Sequence, residues 1–136
     1  MRFDSTDVQA NLARVREAVD GAVLRTGRRA EEITLIAVSK MHSAAQVREL
    51  YEAGVRHFGE NRVQEWESKQ VSLKDLRATW HMIGHLQSNK IGRAVRMFHT
   101  IDSVDSLSLA ERLDRATMKF NAEGTESTEK GGEPGS

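Results

Sequence analysis

Residues 33–40 read Ile-Thr-Leu-Ile-Ala-Val-Ser-Lys, and their pattern gives the clearest indication of the fold class. Its first six residues form a nearly continuous apolar run rich in β-branched side chains, which is typical of a parallel strand buried on both faces. The sequence therefore predicts a strand that ends just before Lys40. An unprotonated amine can attack an aldehyde, and a partly desolvated pocket favours that form of lysine. From spacing alone, a lysine that simply reaches into solvent is the more frequent outcome.

Helices and strands alternate along the rest of the chain. Helix starts are indicated where a capping residue precedes apolar side chains that recur every three or four positions. The predicted caps are Thr6, Ser43, Asn61, Ser88 or Asn89, and Ser106. Further short strands are predicted at 55–59, 79–83 and 98–101. These β-α repeats predict an α/β fold, with a parallel sheet that is covered on its outside by helices.

Polar side chains gather where the predicted strands end. In parallel α/β architectures the reactive groups lie beyond the carboxyl ends of the strands. The residues at or near these ends are Lys40, Glu60, Asn61, His85, Ser103 and Asp105. Asn61 also fits an ordinary helix cap, which spacing alone favours. His81 and His85 are four residues apart, but their apolar neighbours indicate a strand that enters a turn. No metal site is therefore predicted, and His81 is interpreted as a packed histidine.

Length and composition limit the classes of function. A chain of 136 residues suffices for one domain, whereas a complete eight-stranded barrel needs roughly 200 residues. Twenty basic and twenty acidic residues leave no net charge, so no nucleic-acid partner is predicted. The sequence has no cysteine, which removes disulfides and thiol chemistry and fits the cytoplasm. No apolar run approaches the roughly 20 residues that cross a bilayer, so no membrane partner is predicted either.

Four blocks of sequence, taken together and in order, form a recognisable pattern. They are 35–40 (Leu-Ile-Ala-Val-Ser-Lys), 56–61 (Arg-His-Phe-Gly-Glu-Asn) with Gln64 and Glu65, 80–90 (Trp-His-Met-Ile-Gly-His-Leu-Gln-Ser-Asn-Lys) and 101–106 (Ile-Asp-Ser-Val-Asp-Ser). The pattern resembles the pyridoxal phosphate homeostasis protein family over roughly residues 8 to 117, and 80–90 is its most specific block. The resemblance implies a partial TIM-type (β/α) barrel like the amino-terminal domain of alanine racemase, with about five of eight strands present.

The resemblance also implies a cofactor and the residues that bind it. In that family the lysine after the first strand holds pyridoxal 5'-phosphate as a Schiff base, and Lys40 stands at the matching position. Asn61 falls on the family's Gly-Glu-Asn motif near the cofactor, and His85 and Ser103 are carried over as further cofactor-binding residues. No catalytic residue is implied. The implied function is to carry and supply the cofactor in intracellular homeostasis of pyridoxal phosphate, without catalytic turnover.

The carboxyl end departs from the family pattern. Residues 118–121 resemble a fifth strand, and the polar, glycine-rich residues 121–136 resemble the loop or tail that follows, so we expect a partial barrel over 1–120. Strands six to eight of the family are absent. The family's phosphate-binding segments and the arginine that faces the pyridine nitrogen are absent with them. Five parallel strands cannot close a barrel. A homodimer that completes the open barrel is therefore the first assembly expected.

Two other functions stay open from the sequence. One is an amino-acid racemase-like enzyme on the same scaffold, which would need a second acid or base opposite the lysine. Tyr51 is predicted in the middle of a helix, so the sequence offers no convincing tyrosine for that role. The other is a truncated fragment that no longer binds the cofactor.

Overall fold

The fold is built from five α-helices and four parallel strands within the residues that the structure describes. The structure, a computed structural model, describes the backbone of residues 5–40 and 42–131 and the side chains of 8–40 and 42–123. The helices are α1 (Ser5–Thr26), α2 (Ala44–Glu52), α3 (Val63–Gln70), α4 (Ile91–Met97) and α5 (Leu107–Gly131). The strands are β1 (Ala37–Val38), β2 (His57–Glu60), β3 (Thr79–Met82) and β4 (Thr100–Ile101). Short 3₁₀ helices span Ala30–Glu32, Val71–Leu73 and Ser88–Lys90.

The four strands form one sheet in the order β1-β2-β3-β4, and every pairing is parallel. A helix follows each strand and returns the chain to the other end of the sheet, which is the repeat of a β/α barrel. The predicted α/β class and partial barrel are therefore confirmed. Because all four strands are parallel, their carboxyl ends lie along one edge of the sheet, in the order of the sequence.

The first strand is shorter than its sequence predicts. Residues 33–38 were expected to be extended and buried, yet only Ala37 and Val38 pair, with Phe58 and Gly59 of β2. The neighbouring strand is short, because β2 begins only at His57, which stands opposite Ile36, so residues 33–35 lie before its start.

Two predicted caps have different outcomes. The capping box of α2 is confirmed, because Ser43 Oγ accepts from Gln46 N at 3.2 Å and Ser43 N donates to Gln46 Oε1 at 2.9 Å. The cap predicted at Asn61 is wrong, since Arg62 is the N-cap of α3 and its side chain makes no capping bond. The backbone is still extended at Arg62 (φ −135°, ψ 134°), so the helix begins after it. Thr6 lies outside the described side chains.

The predicted fifth strand at 118–121 is also wrong, because these residues lie inside α5. Leu109, Leu113 and Ala116 recur at helical spacing and pack into the core, and α5 packs against α4. Phe120 continues this stripe with its ring 5.1 Å from the Arg96 guanidinium. The helix therefore crosses the expected boundary at residue 120 and runs to Gly131. The division into a partial barrel and a tail stays a prediction, and residues 132–136 lie outside the described part.

The two faces of the sheet differ in what covers them. Alternate residues of a strand point to opposite faces. The helix-covered face carries Phe58, Trp80 and Met82, which are almost fully buried under the helices. The inner face carries Val38, His57, His81 and Thr100. Val38 is 46% exposed, which shows that this face is open at β1.

Candidate functional site

The site predicted from the sequence lies along the carboxyl edge of the sheet. Sheet pairing continues just beyond the strands: Ser39 N donates to Gly59 O at 2.9 Å and Ile83 N donates to Glu60 O at 3.0 Å. Asp102 N extends the pairing further, because it donates to Met82 O at 2.9 Å. Lys40, Asn61, His85 and Ser103 come shortly after these paired residues on β1, β2, β3 and β4 in turn. The structure therefore aligns all four predicted residues along one edge.

Lys40 lies just past the carboxyl end of β1, and its side chain is exposed. It makes no hydrogen bond or ion pair with any residue that the structure describes. The residue before it is held rigidly, since Ser39 is fully buried and hydrogen-bonded to β2. Lys40 thus combines a fixed starting point in the backbone with an amine that is available to a ligand.

The turns after β2 and β3 touch each other, and glycine makes this contact possible. A Cβ atom on Gly84 would lie 2.3 Å from the carbonyl oxygen of Asn61, far inside van der Waals contact. Ser103 Oγ donates to Gly84 O at 2.6 Å and so joins the turn after β4 to the same point. Asn61 and Ser103 are therefore linked through the backbone of Gly84, and exposed His85 follows directly.

A cavity of about 550 Å³ opens between the turns after β2 and β3. Asn61 and His85 line it, whereas Lys40 and Ser103 do not belong to its walls. Arg62 and Lys90 add two cations, and no carboxylate is among its described lining residues. This charge is one-sided, which suits an anionic group. A second cavity, of about 410 Å³ at the amino ends of β1 and β2, has a mixed lining of acids and bases.

A buried polar cluster beneath Lys40 was missed by the sequence analysis. Glu60 is fully buried, and its Oε2 accepts from Ser39 Oγ at 2.6 Å and from Lys69 Nζ at 2.9 Å. Lys69 Nζ also donates to the carbonyl oxygen of Ser39 at 2.7 Å. We call Ser39, Glu60 and Lys69 the Lys69 cluster. Glu60 was noted only as a residue at a strand end, and nothing in the spacing indicates that a lysine of the next helix turns back to it.

A chain of hydrogen bonds crosses the inner face of the sheet. His57 Nδ1 lies 3.0 Å from His81 Nε2, and His81 Nδ1 lies 3.0 Å from Asp102 Oδ2. A carboxylate accepts through oxygen only, so His81 Nδ1 is the donor to Asp102, and Thr100 Oγ1 lies 2.7 Å from the same nitrogen. Thr100 Oγ1 also bonds to Asp102. We call these four residues the histidine chain; His81 is packed in the strand, as the sequence predicted.

Within the described side chains, no group of three or more His, Cys, Asp or Glu residues is arranged to hold a metal ion. No helix in the described part of the chain is both long enough and apolar enough to span a membrane. Tyr51 lies in α2, where its hydroxyl accepts from Arg77 N at 3.3 Å.

Comparison with known proteins identifies the family. The chain is 44% identical over 111 residues to the pyridoxal phosphate homeostasis protein of Escherichia coli K12, and 43% identical over 106 residues to that of Pseudomonas aeruginosa. These matches cover 79% and 78% of this chain. The matched part of the chain belongs to the pyridoxal phosphate homeostasis protein family. The chain spans about half the length of these curated relatives, 47% and 46% respectively. No family model matches it.

Solved structures agree with the family and the fold. PipY of Synechococcus elongatus, solved with pyridoxal phosphate bound, is 49% identical, with a TM-score of 0.71 over 84% of this chain and 50% of its own. A protein of unknown function from Bifidobacterium adolescentis is 31% identical, with a TM-score of 0.80 over 88% of this chain and 54% of its own. The chain thus shares its fold with both proteins over the covered part.

Proposed function

We propose that this chain binds pyridoxal 5'-phosphate and serves in pyridoxal phosphate homeostasis, with Lys40 holding the cofactor as a Schiff base. The observation that carries the proposal is the position of Lys40. Its exposed amine stands at the end of a strand in a member of this family, fixed behind by buried Ser39 and bonded to no described residue. Asn61, His85 and Ser103 are the neighbouring residues proposed to contact the cofactor.

The residues present fit the chemistry of the cofactor. Pyridoxal phosphate supplies an aldehyde, whose carbon would form a C=N bond with Lys40 Nζ while its oxygen leaves as water with the two protons of the neutral amine. The chain supplies an amide at Asn61 and an imidazole at His85, both lining the cavity beside the edge. Arg62 and Lys90 line the same cavity and would favour a phosphate group, because no described carboxylate there opposes them.

We propose a carrier in preference to a racemase-like enzyme. Racemisation needs a second acid or base on the opposite side of the reacting carbon. The hydroxyl of Tyr51 is hydrogen-bonded to the backbone at Arg77 and belongs to α2, outside the carboxyl edge of the sheet. The described edge carries an amide at Asn61, a hydroxyl at Ser103 that donates to Gly84 O, and an imidazole at His85, which lines a cavity that Lys40 does not line.

The test is direct labelling of the chain. We would mix the purified chain with pyridoxal 5'-phosphate, remove the excess, record the visible absorbance before and after borohydride reduction, and locate the label by peptide mass. The expected result is a single label on Lys40. Lys40→Ala should lose the absorbance and the label, because the other amine at the end of β1, Lys69 Nζ, is held by Ser39 O and Glu60 Oε2.

The control is Lys74→Ala, since Lys74 is exposed and lies at the end of a 3₁₀ helix away from this edge. It should label like the wild type. A label spread over surface lysines, or no retained label, would refute the proposal and favour a fragment without the cofactor function. Steady conversion of a single-enantiomer amino acid would promote the enzyme over the carrier.

The open sheet also bears on assembly and setting. β1 and β4 each have one neighbour in the described sheet, and Val38 on the inner face is 46% exposed. An uncovered edge and face favour pairing with another chain, so the proposal includes a homodimer that completes the barrel. The proposed setting is the cytoplasm, and no nucleic-acid partner is proposed. Sedimentation velocity at micromolar concentration checks the assembly, and a stable monomer would count against it.

A further inference from the structure

The Lys69 cluster lies directly behind the residue that is proposed to hold the cofactor. Ser39 precedes Lys40, is fully buried, and has every polar group bonded. Its N donates to Gly59 O at 2.9 Å, its Oγ donates to Glu60 Oε2 at 2.6 Å, and its carbonyl oxygen accepts from Lys69 Nζ at 2.7 Å. Without the lysine, the bond from His42 N at 3.2 Å would be the one that this carbonyl keeps among the described residues.

Lys69 reaches this point from a different element. It lies in the last turn of α3, and its side chain is only 10% exposed. Besides Ser39 O, its ammonium contacts Glu60 Oε2 at 2.9 Å and Glu65 Oε2 at 3.5 Å. Two of the three ammonium protons are donated to Ser39 O and Glu60 Oε2, and the carboxylate of Glu65 adds an ion pair. Lys69 therefore connects the end of β1 to β2 and α3 by charge-assisted hydrogen bonds, which are stronger than neutral ones.

Glu60 explains why such a charge is tolerated in the interior. Its side chain is 0% exposed, and a buried carboxylate needs a partner of opposite charge. Lys69 supplies that charge, while Glu60 Oε1 has no hydrogen-bond partner among the described residues. Glu60 thus relies on one cation and one hydroxyl, both of which also hold Ser39.

From this geometry we infer that Lys69 is a positioning residue for Lys40. Paired with buried Glu60, it fixes the carbonyl of Ser39 and thereby the point and direction in which Lys40 leaves the sheet. It does not hold the cofactor itself, because its ammonium is occupied by two hydrogen bonds and an ion pair while the amine of Lys40 is exposed. This inference rests on the proposed function, since it explains why the cofactor takes Lys40 and not the second lysine close to it.

The test compares Lys69→Met with Lys74→Met, which removes an exposed lysine that makes no hydrogen bond or ion pair with a described residue. Hydrogen exchange of the Ser39 and His42 amides is measured by NMR without cofactor, with the Phe98 amide of α4 as the internal reference. Lys69→Met should raise exchange at both sites by about tenfold, because a charge-assisted bond to the Ser39 carbonyl is lost. Lys74→Met should leave it unchanged, and Lys69→Arg should restore much of the protection.

The second readout reports orientation rather than stability. Pyridoxal phosphate is achiral, so visible circular dichroism of the bound cofactor arises only from fixed surroundings. The dichroism per bound cofactor should fall by about threefold in Lys69→Met and stay near the wild-type value in Lys74→Met and Lys69→Arg. If Lys69→Met does not fold, Glu60→Gln/Lys69→Met takes its place, because removing both charges of a buried pair is milder than removing one.

The outcomes separate the two claims. A wild-type chain that takes no label on Lys40 refutes the proposed function. A labelled wild type, with unchanged exchange or unchanged dichroism in the folded variant, refutes the positioning role of Lys69. Raised exchange together with reduced dichroism, absent from Lys74→Met and reversed by Lys69→Arg, supports it.

Discussion

The two faces of the sheet are built from neighbouring residues but held by different forces. On the helix-covered face, the ring of Trp80 stacks on Trp66 and Phe58, with centroid distances of 3.8 and 5.0 Å. One residue further along β3, His81 on the inner face makes hydrogen bonds to His57 and Asp102. Burial of aromatic surface stabilises the helix-covered face, whereas hydrogen bonds between polar side chains stabilise the inner face.

The helix-covered face stabilises the chain, whereas the inner face presents polar side chains. The helix-covered face is complete within the described residues, because α2, α3, α4 and α5 all contribute side chains to its core. The inner face keeps polar groups bonded to each other and remains open at Val38. We therefore expect mutations of adjacent residues on β3 to differ strongly in their effect on stability.

The largest effect is expected for Trp80→Ala. Trp80 is 4% exposed and stacks on two other aromatic rings, so its removal leaves a large cavity in the core. The free energy of unfolding should fall by about 3–5 kcal/mol, measured by urea titration. Val71→Ala is the matched control, since Val71 is 69% exposed and its truncation should change stability by less than about 0.5 kcal/mol. A loss below about 1 kcal/mol in Trp80→Ala would contradict the expected difference in stability between the two faces.

A smaller effect is expected for His81→Leu on the inner face. Leucine fills much of the same volume but removes the bonds to His57 and Asp102. His57 is half-buried and the side chain of Asp102 is 35% exposed, so water can replace the lost partner. The free energy of unfolding should fall by about 1 kcal/mol, measured by the same urea titration. A loss equal to that of Trp80→Ala would show that the histidine chain is as important to folding as the aromatic core.

Local patterns explain how much of this molecule was predictable. The order of strands and helices, and the residues just past the strand ends, follow from apolar runs and caps along the chain. The length of β1 was not predictable, because it depends on where β2 begins beside it. A four-residue segment such as 118–121 suits a strand or a helix, and the longer apolar stripe of α5 decides between them.

The site shows the same limit. The sequence places Lys40, Asn61, His85 and Ser103 after strands, whereas their proposed roles toward the cofactor come from the resemblance to the family. The Lys69 cluster depends on the angle at which α3 returns over β2, and the histidine chain depends on cross-strand register. Neither has a signature in linear spacing.

The smallest effect is expected at an ion pair outside both faces. Arg48 of α2 donates to both carboxylate oxygens of Asp75 at 2.8 Å, and these side chains are 38% and 65% exposed. Hydrogen bonds from Arg48 lower the pKa of Asp75 from its usual 3.8 to about 2. Because the folded pKa lies below the unfolded one, the pair stabilises the fold fully above about pH 4 and loses its contribution as pH falls through about 2. Exposure to water keeps this contribution small.

Asp75→Asn tests this directly. At about pH 6 the variant should have a slightly lower urea midpoint than the wild type, and the difference should shrink steadily between about pH 4 and pH 2. Asp114→Asn is the matched control, since Asp114 is exposed on α5 and makes no ion pair with a described residue. Its midpoint should follow the wild type at every pH. A midpoint change in Asp75→Asn as large as that of His81→Leu would mean that the surface contributes as much as the inner face, and the ranking of the regions would have to be revised.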